Sequence, residues 1–181
     1  MDRDKSLQNT DQELKELFIL IKKLKSHFDL SFLKEINRSL PFADLLFDRW
    51  ERAKMLGFGE GTSVYDSTHV FGDVQVGKNT WIGPFTILDG SGGLTIGDNC
   101  SISASVQIYS HDTLQWAVSG GKEKYEYAAT TIGNNCYIAP GSIIAKGISL
   151  ADGCIIGANS FVKKSFPTKS KIAGSPAKLL K

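Results

Sequence analysis

Histidine is the side chain whose reference pKa lies closest to neutral pH, and this chain of 181 residues has three. His27 falls at the end of the first predicted helix, where we interpret it as a surface or capping residue. His69 ends an early repeat unit and is interpreted as structural. His111 stands where a long loop begins. A neutral imidazole at such an exposed position can take a proton from a hydroxyl or an amine and return it to a leaving group. Asp112, its neighbour, either orients this ring or caps the turn.

The loop that follows His111, residues 114–131, is rich in aromatic and charged side chains around a flexible Gly-Gly pair. Aromatic faces and carboxylates are typical of sites that hold a sugar. Trp116, Tyr125 and Glu126 are therefore candidates for binding an acceptor. The same composition also fits a loop that packs on a neighbouring subunit. Asp89 is a further candidate, because the repeat places it one coil below Tyr109.

The carboxyl-terminal end is basic. From Lys163 onward the chain contains six lysines and no acidic residue. A segment whose charges are all positive attracts phosphate groups, but the same composition is also typical of a solvated tail.

The elements that carry these residues follow a period of six. From Val64 to Phe166 a large aliphatic residue returns every sixth position, and the fifth position of each unit is usually small or β-branched. Turn formers such as Gly97-Asp98-Asn99 lie between them. A period of six is typical of a repeat architecture whose short units bury one edge each. Three units per turn predict a triangular prism of stacked parallel strands.

This count assigns every inward aliphatic residue to one of three columns, provided that the long insertion counts as one unit plus a loop. The first column contains Val64, Ile82, Ile102, Ile138 and Ile156; the second contains Val70, Leu88, Ile108, Ile144 and Val162; the third contains Val76, Ile96, Ile132 and Leu150. The irregular stretch 89–93 and the loop after His111 then leave the same face in successive coils. Loops on a rigid scaffold commonly carry function, so we predict the site there.

Residues 1–57 have a helical rather than a six-residue period. The pattern predicts a helix with a capping box at Thr10–Glu13, a second helix after Ser31, and a third from Pro41 to a C-cap at Gly57. We therefore divide the chain into a helical segment (1–57), the prism (58–166, with the inserted loop 114–131) and a basic tail (167–181).

Composition excludes several classes of protein. The net charge of +2 does not indicate nucleic-acid binding, and we find no signal peptide and no apolar run long enough to span a bilayer. We expect a cytoplasmic protein. Cys100, Cys136 and Cys154 all fall in the inward fifth position, so we interpret them as structural rather than as nucleophiles, zinc ligands or disulfides.

The stretches Thr86–Cys100 and Val106–Tyr109, with Gly174-Ser-Pro-Ala-Lys178 near the end, resemble the hexapeptide-repeat acetyltransferases of the galactoside and maltose branch. The resemblance implies a mainly β fold, a left-handed parallel β-helix with an N-terminal helical segment. It implies a homotrimer with sites between subunits, acetyl-CoA as co-substrate, no metal, and His111 as the catalytic base. By the same resemblance, the residues that bind coenzyme A are Ala139 and Ala158 at the pantetheine arm and Lys163, Lys164 and Lys178 at the phosphates.

Two residues depart from the galactoside pattern. Gly83 stands where those enzymes have a substrate-binding asparagine, and His111 lies two places later in its unit. We therefore expect an O-acetyltransferase acting on a sugar hydroxyl of a surface polysaccharide or its precursor, rather than on a simple galactoside.

Several alternatives to this function stay open or are disfavoured. An N-acetyltransferase of an amino-sugar nucleotide and a non-catalytic β-helical scaffold stay open. A β-helical carbonic anhydrase is disfavoured because His27 lies outside the prism, which leaves too few histidines for its metal. A serine acetyltransferase is disfavoured because its helical segment is much longer.

Overall fold

The computed structural model describes residues 11–180, which divide into two compact units between residues 48 and 49. The first unit contains helix α1 (Gln12–Ile36) and the short helix α2 (Phe42–Leu46). Helix α1 begins at Asp11, whose carboxylate accepts a hydrogen bond from the Leu14 N–H at 2.9 Å. It ends at Asn37 in the left-handed conformation. Thr10, the predicted first residue of the capping box, lies outside the described residues.

The predicted division of the helical segment is wrong in two places. Residues on both sides of Ser31 belong to one continuous helix of 25 residues, because the sequence between Gln12 and Ile36 contains no glycine or proline to end it. The helix predicted from Pro41 to Gly57 is instead interrupted at Phe47, whose backbone is extended. Helix α3 (Arg49–Met55) follows the break and belongs to the second unit. Gly57, with φ +74°, terminates it as predicted.

The second unit is built from short strands. In chain order they are β1 (Ser63–Val64), β2 (His69–Val76), β3 (Trp81–Ile82), β4 (Ile87–Ile96), β5 (Ser101–Ile102), β6 (Gln107–Ile108), β7 (His111–Asp112), β8 (Glu126–Tyr127), β9 (Thr130–Ile132), β10 (Tyr137–Ile138), β11 (Ile143–Ile144), β12 (Ser149–Leu150), β13 (Ile155–Ile156), β14 (Phe161–Val162), β15 (Lys171–Gly174) and β16 (Ala177–Leu179). Helix α4 (Leu114–Val118) lies between β7 and β8.

These strands form three faces, each named here after one inward residue. The Ile82 face contains β1, β3, β5, β10, β13 and β15, all parallel. The Leu88 face contains the first halves of β2 and β4, then β6, β11 and β14. The Ile96 face contains the second halves of β2 and β4, then β9 and β12. The chain is therefore a parallel β-helix, as the six-residue period predicts.

The strand register confirms the three predicted columns residue by residue. Val64 pairs with Ile82 on the first face, Val70 with Leu88 on the second and Val76 with Ile96 on the third. Ile108 pairs with Ile144, and Ile96 pairs with Ile132, so both coils keep all three inward residues and the long loop is inserted between Ile108 and Ile132. From Ile82 upward the column residues are at most 1% exposed, and together they form the core. Burial of these side chains is the main contribution to stability.

The fifth position of each unit has a hydrogen-bonding role beyond its small size. At the turn from the Ile96 face to the Ile82 face, its hydroxyl or thiol donates to a main-chain carbonyl. Thr80 bonds Gly97 O at 2.9 Å, and Cys100 bonds Gly133 O at 3.1 Å in the next coil. All three cysteines are buried, and burial raises the pKa of the Cys154 thiol. These contacts agree with the structural role that the sequence predicts for the cysteines.

Both ends of the β-helix are covered. At the first coil, the Arg52 guanidinium of α3 donates to the carbonyls of Tyr65 and Thr68, the latter at 2.8 Å. At the last coil, β16 turns back and pairs antiparallel with β15. Ile172 of β15 takes the next inward position and is 1% exposed. Part of the predicted basic tail is therefore the final coil of the β-helix.

We expect Arg52→Met to lower the free energy of unfolding by about 2–4 kcal/mol, because it leaves two carbonyls at the end of the β-helix without their charged donor. Arg49→Met is the matched control. Arg49 contacts the rings of Trp50 and Tyr65 and donates to the Tyr65 hydroxyl, so its loss should cost only about 1 kcal/mol. Urea unfolding of both variants measures the difference, and equal losses would contradict the capping role of Arg52.

The turn from the Leu88 face to the Ile96 face is here called the His111 corner. In the first two coils β2 and β4 run through it as continuous strands. Residues 89–93 are thus part of a strand rather than the loop that the sequence predicts, and the extra residues are absorbed by a register shift between Gly72 and Val74. In the next coil β7 and β8 leave the corner as an antiparallel ribbon, which carries α4.

Among the helices of residues 11–180, none combines the length and the apolar character that crossing a bilayer requires.

Candidate active site

A carboxylate–imidazole pair lies at the His111 corner. The Nδ1 atom of His111 is 2.5 Å from Oδ2 of Asp89, which belongs to the coil below. The Asp89 side chain is 2% exposed, whereas the His111 side chain is 31% exposed. The pair therefore has a buried carboxylate behind a ring that solvent and ligands can reach.

The backbone around Asp89 holds this carboxylate in its ionised form. Oδ2 accepts hydrogen bonds from the N–H groups of Ser110 and His111 at 3.0 and 3.2 Å, and Oδ1 accepts one from the Ser91 N–H at 3.0 Å. Burial by itself raises the pKa of Asp89. The hydrogen bonds from Ser91, Ser110 and His111 outweigh that effect and lower the pKa to about 2.

An ionised Asp89 determines which nitrogen of His111 is free. Oδ2 can only accept, so the neutral imidazole carries its proton on Nδ1 and donates it to Asp89. The lone pair of Nε2 is then available to a substrate, which is the arrangement that general-base catalysis requires. Asp89 is a positioning residue in this arrangement. The sequence assigns it to acceptor binding, but a side chain with 2% exposure has no surface for a substrate.

Asp112 does not share this role. Its Oδ1 accepts from the Leu114 N–H at 3.1 Å, and its Oδ2 lies 2.8 Å from Nζ of Lys146. The hydrogen bonds from Lys146 and from the Leu114 backbone lower the pKa of Asp112. Of the two roles that the sequence leaves open, the structure therefore supports the one in which Asp112 caps the turn.

The ribbon places an aromatic ring on His111. His111 pairs with Tyr127 across the two strands, and their ring centroids are 5.9 Å apart with an angle of 24° between the planes. Lys146, in the coil above, bridges the next pair of the ribbon: its Nζ lies 2.8 Å from Asp112 and 2.5 Å from Glu126. These two ion pairs raise the pKa of Lys146. Stacking and ion pairing thus act on consecutive pairs of the same ribbon.

The base of the ribbon is held between two coils. The Ala128 N–H donates to Ser110 O below at 2.8 Å, and Ala128 O accepts from the Gly147 N–H above at 3.1 Å. Gly92 permits this approach, since a Cβ there would collide with the Ser110 carbonyl and lie 3.0 Å from Ala128 N. The ribbon therefore leaves the corner from a fixed position beside His111.

The predicted acceptor residues lie along this ribbon and loop. Trp116 of α4 contacts Tyr125 edge-on, with centroids 5.6 Å apart, and each residue is 43% exposed. Glu126 is tied to Lys146. The aromatic pair is thus available to a ligand, whereas one carboxylate oxygen of Glu126 is occupied by a cation.

The predicted coenzyme-binding residues lie at two different corners. Lys163 and Lys164 follow the Leu88 face directly after Val162, so they occupy the His111 corner two coils above Tyr109, at a distance of about 10 Å. Both are exposed. Their position leaves them open to a negatively charged group that approaches His111 from above.

Ala139 and Ala158 lie at the turn from the Ile82 face to the Leu88 face, here called the Ala158 corner. Lys178 is nearby, because it pairs with Ala173, which stacks on Gly157. Ala158 is exposed, but Ala139 is buried and its N–H donates to Ile156 O at 3.0 Å. Within one chain the Leu88 face separates this group from His111.

Within residues 11–180, no group of three or more histidine, cysteine or acidic side chains is arranged to hold a metal ion. The other two histidines belong to other elements of the chain. His27 contacts Phe28 on α1, and His69 is exposed and stacks on Phe71 at the first coil of the Leu88 face.

The sequence analysis missed Tyr127 and Lys146. Both depend on where the chain rejoins the β-helix after the loop, which the six-residue period does not specify. The one signal for Lys146 was its position in the unit that follows Ile144, directly above Ser110 and beside His111.

The depressed pKa of Asp89 predicts a pH-dependent stability difference. A folded-state value of about 2, below the ordinary 3.8, means that ionised Asp89 stabilises the folded chain by about 2 kcal/mol above pH 4. This contribution is lost as the pH falls from 4 through 2. We expect the difference in unfolding free energy between the wild type and Asp89→Asn to shrink over that range. If the difference in unfolding free energy between the two proteins stays constant from pH 6 to pH 2, the prediction is wrong.

Comparison with known proteins supports the repeat fold. Residues 129–164 match the family model described as bacterial transferase hexapeptide (six repeats). A serine acetyltransferase of Staphylococcus epidermidis is 34% identical over 111 residues, which are 61% of this chain and 50% of the relative. A serine acetyltransferase of Staphylococcus aureus is 32% identical over the same lengths. The chain thus spans about half the length of these curated relatives, which belong to the class that the sequence analysis disfavoured.

Solved structures share the fold. A maltose O-acetyltransferase from Clostridium difficile 630 is 25% identical, with a TM-score of 0.51 over 94% of this chain and 88% of that one. AntD, an N-acyltransferase from Bacillus cereus in complex with dTDP and 3-hydroxybutyryl-CoA, has a TM-score of 0.61 at 18% identity, over 75% and 90% of the two chains. At that identity the likeness to AntD concerns the fold alone.

Proposed function

We propose that this hexapeptide-repeat chain is an acetyltransferase that uses acetyl-CoA, with His111 as its general base. The observation that carries the proposal is the Asp89–His111 pair, in which a buried ionised carboxylate holds an accessible imidazole with Nε2 free. The maltose O-acetyltransferase and the serine acetyltransferases to which the chain is similar are named for the same transfer. AntD is described with coenzyme A and with an acyl-CoA.

The reaction follows from the position of His111. Nε2 removes the proton from an acceptor hydroxyl as its oxygen attacks the thioester carbonyl of acetyl-CoA. The tetrahedral intermediate collapses, the C–S bond breaks, and the imidazolium returns the proton to the leaving thiolate. Ionised Asp89 stabilises the imidazolium between the two steps. The products are the acetyl ester and free coenzyme A.

The positions of the coenzyme-binding candidates support a site shared between two subunits. Lys163 and Lys164 lie above His111, while Ala139, Ala158 and Lys178 lie across the Leu88 face of the same chain. A single coenzyme A can contact both groups when the Ala158 corner of one subunit approaches the His111 corner of another. We therefore infer a homotrimer, in which each subunit supplies one corner to each neighbour.

The charges near His111 favour an uncharged acceptor. Asp89, Asp112 and Glu126 are three carboxylates close to His111, and the lysine that contacts this group, Lys146, is already bound to two of them. Trp116 and Tyr125 offer exposed aromatic faces to a sugar ring. We infer a sugar hydroxyl as acceptor, in a surface polysaccharide or its precursor. An amino-sugar nucleotide is the second candidate, but its phosphates would compete with coenzyme A for Lys163 and Lys164, the lysines at this corner.

A screen of acceptors with acetyl-CoA, followed by thiol release, tests the proposal. It compares neutral mono- and disaccharides, amino sugars, sugar nucleotides and L-serine, each against a reaction without acceptor. We expect the largest rate enhancement with a neutral sugar. Binding of acetyl-CoA without release of thiol with any acceptor class would favour a non-catalytic scaffold. Turnover only with L-serine would assign the chain to the chemistry of its curated relatives.

A further inference from the structure

We propose that Lys146 is a positioning residue: by bridging Asp112 and Glu126 it holds the β7–β8 ribbon so that the Tyr127 ring fixes the plane of the His111 imidazole. This inference rests on the proposed function of His111. It concerns a residue of the neighbouring coil and not a group that touches the substrate.

The first step of the argument is geometric. Asp112 and Glu126 face each other across the ribbon, one pair beyond His111 and Tyr127. The Lys146 Nζ atom lies 2.8 Å from one carboxylate and 2.5 Å from the other. Because consecutive pairs of a two-stranded ribbon move together, fixing the second pair also fixes the first.

The second step concerns the other attachments of the ribbon. At its base, Ala128 is held by Ser110 and Gly147, and the Thr130 hydroxyl donates to Tyr109 O at 2.7 Å. Beyond Asp112 and Glu126, the Ser119 hydroxyl makes its hydrogen bonds within the loop, to Trp116, Lys122 and Glu123. Lys146 therefore ties the ribbon to the β-helix at the pair that lies farther from the base.

The third step concerns the imidazole. Asp89 holds the ring by a single hydrogen bond at Nδ1, which still allows a small rotation about the Cβ–Cγ bond. A second contact on the face of the ring removes this freedom, and Tyr127 supplies it at a centroid distance of 5.9 Å. The direction of Nε2, and with it the transfer of the acceptor proton, thus depends on an ion pair in the coil above.

Lys146→Met tests the inference, because methionine keeps the length of the side chain and removes the charge. We expect kcat to fall about tenfold with the KM for acetyl-CoA changed less than twofold. Lys146→Arg keeps both ion pairs and should restore most of the rate. Lys78→Met removes an exposed lysine from a different corner and should leave kcat unchanged.

Two measurements do not require turnover. The Tyr127 ring should shift the NMR signals of the His111 ring protons upfield, with Tyr127→Leu as the reference. We expect Lys146→Met to lose most of this shift and Lys146→Arg to keep it. Trypsin should also cleave the loop at Lys122 and Lys124 several times faster in Lys146→Met than in wild type.

The outcomes separate the two proposals. An unchanged ring-proton shift and an unchanged cleavage rate in Lys146→Met would overturn the role of Lys146, whatever the activity. If Lys146→Met loses the shift but the wild type transfers no acyl group to any acceptor, the proposed function is refuted. The positioning role of Lys146 is then still supported.

Discussion

His111→Ala should lower kcat by about 10²- to 10⁴-fold while the affinity for acetyl-CoA stays unchanged. A general base contributes a factor of this size, and the imidazole contacts the acceptor proton rather than the coenzyme. The measurement combines thiol-release kinetics with calorimetric titration of coenzyme A. Because the side chain is 31% exposed and lies at the surface, its removal should leave the unfolding transition within about 1 kcal/mol of wild type.

The chain offers a matched control for this variant. His69 lies on β2, the first strand of the Leu88 face, is exposed, and stacks on Phe71. His69→Ala should therefore retain wild-type turnover. Wild-type turnover in His111→Ala would refute the mechanism, and a parallel loss in both variants would point to a general effect of histidine removal on the β-helix.

Asp89→Asn should lower kcat by about 10- to 100-fold, because the neutral amide no longer stabilises the imidazolium. Both oxygens of Asp89 accept backbone hydrogen bonds, Oδ1 from Ser91 and Oδ2 from Ser110 and His111. An asparagine must therefore point its NH₂ group at a backbone N–H whichever way it turns. The least costly orientation directs NH₂ at Ser91 and keeps the oxygen on His111, so the ring stays in place and only the charge is lost.

Asp73→Asn provides the control for charge. Asp73 is exposed on β2 at the same corner and lies below the buried pair. Its substitution removes one carboxylate without touching His111 and should leave kcat unchanged. Equal rates for Asp89→Asn and the wild type would show that the carboxylate only supports the backbone of the turn. A crystal structure of Asp89→Asn with the imidazole unmoved would assign the loss of rate to the charge.

The sequence predicts the β-helix well because its core depends on strict periodicity. Each inward aliphatic residue pairs with the residue in the next coil that the six-residue count selects, and this holds across the long loop, where Ile108 lies beside Ile144. The helical segment was predicted less well. A 3.6-residue period locates the apolar stripe but not the breaks, so Ser31 was taken as an end and Phe47 was not.

The candidate site was predictable only in part. The sequence predicts a role for His111 at the mouth of the loop, but it does not predict the contact of its ring with Asp89. Asp89 was placed correctly below Tyr109, yet its burial and its three backbone donors could not be inferred from composition, so it was assigned to the substrate. Tyr127 and Lys146 depend on the register of an antiparallel ribbon inside a parallel repeat. No periodic pattern encodes that register.

The pairing of Asp112 with Glu126 has a consequence for how such a site changes over evolutionary time. These two residues bring the ends of the segment between them to adjacent positions, and Thr130 to Ile132 re-enter the stack in register with Leu94 to Ile96. A longer or different segment therefore leaves the coils unchanged, and the entropic cost of closing the loop rises only with the logarithm of its length. Under the proposed function, the acceptor preference can therefore change by replacement of this segment while Asp89 and His111 stay in place.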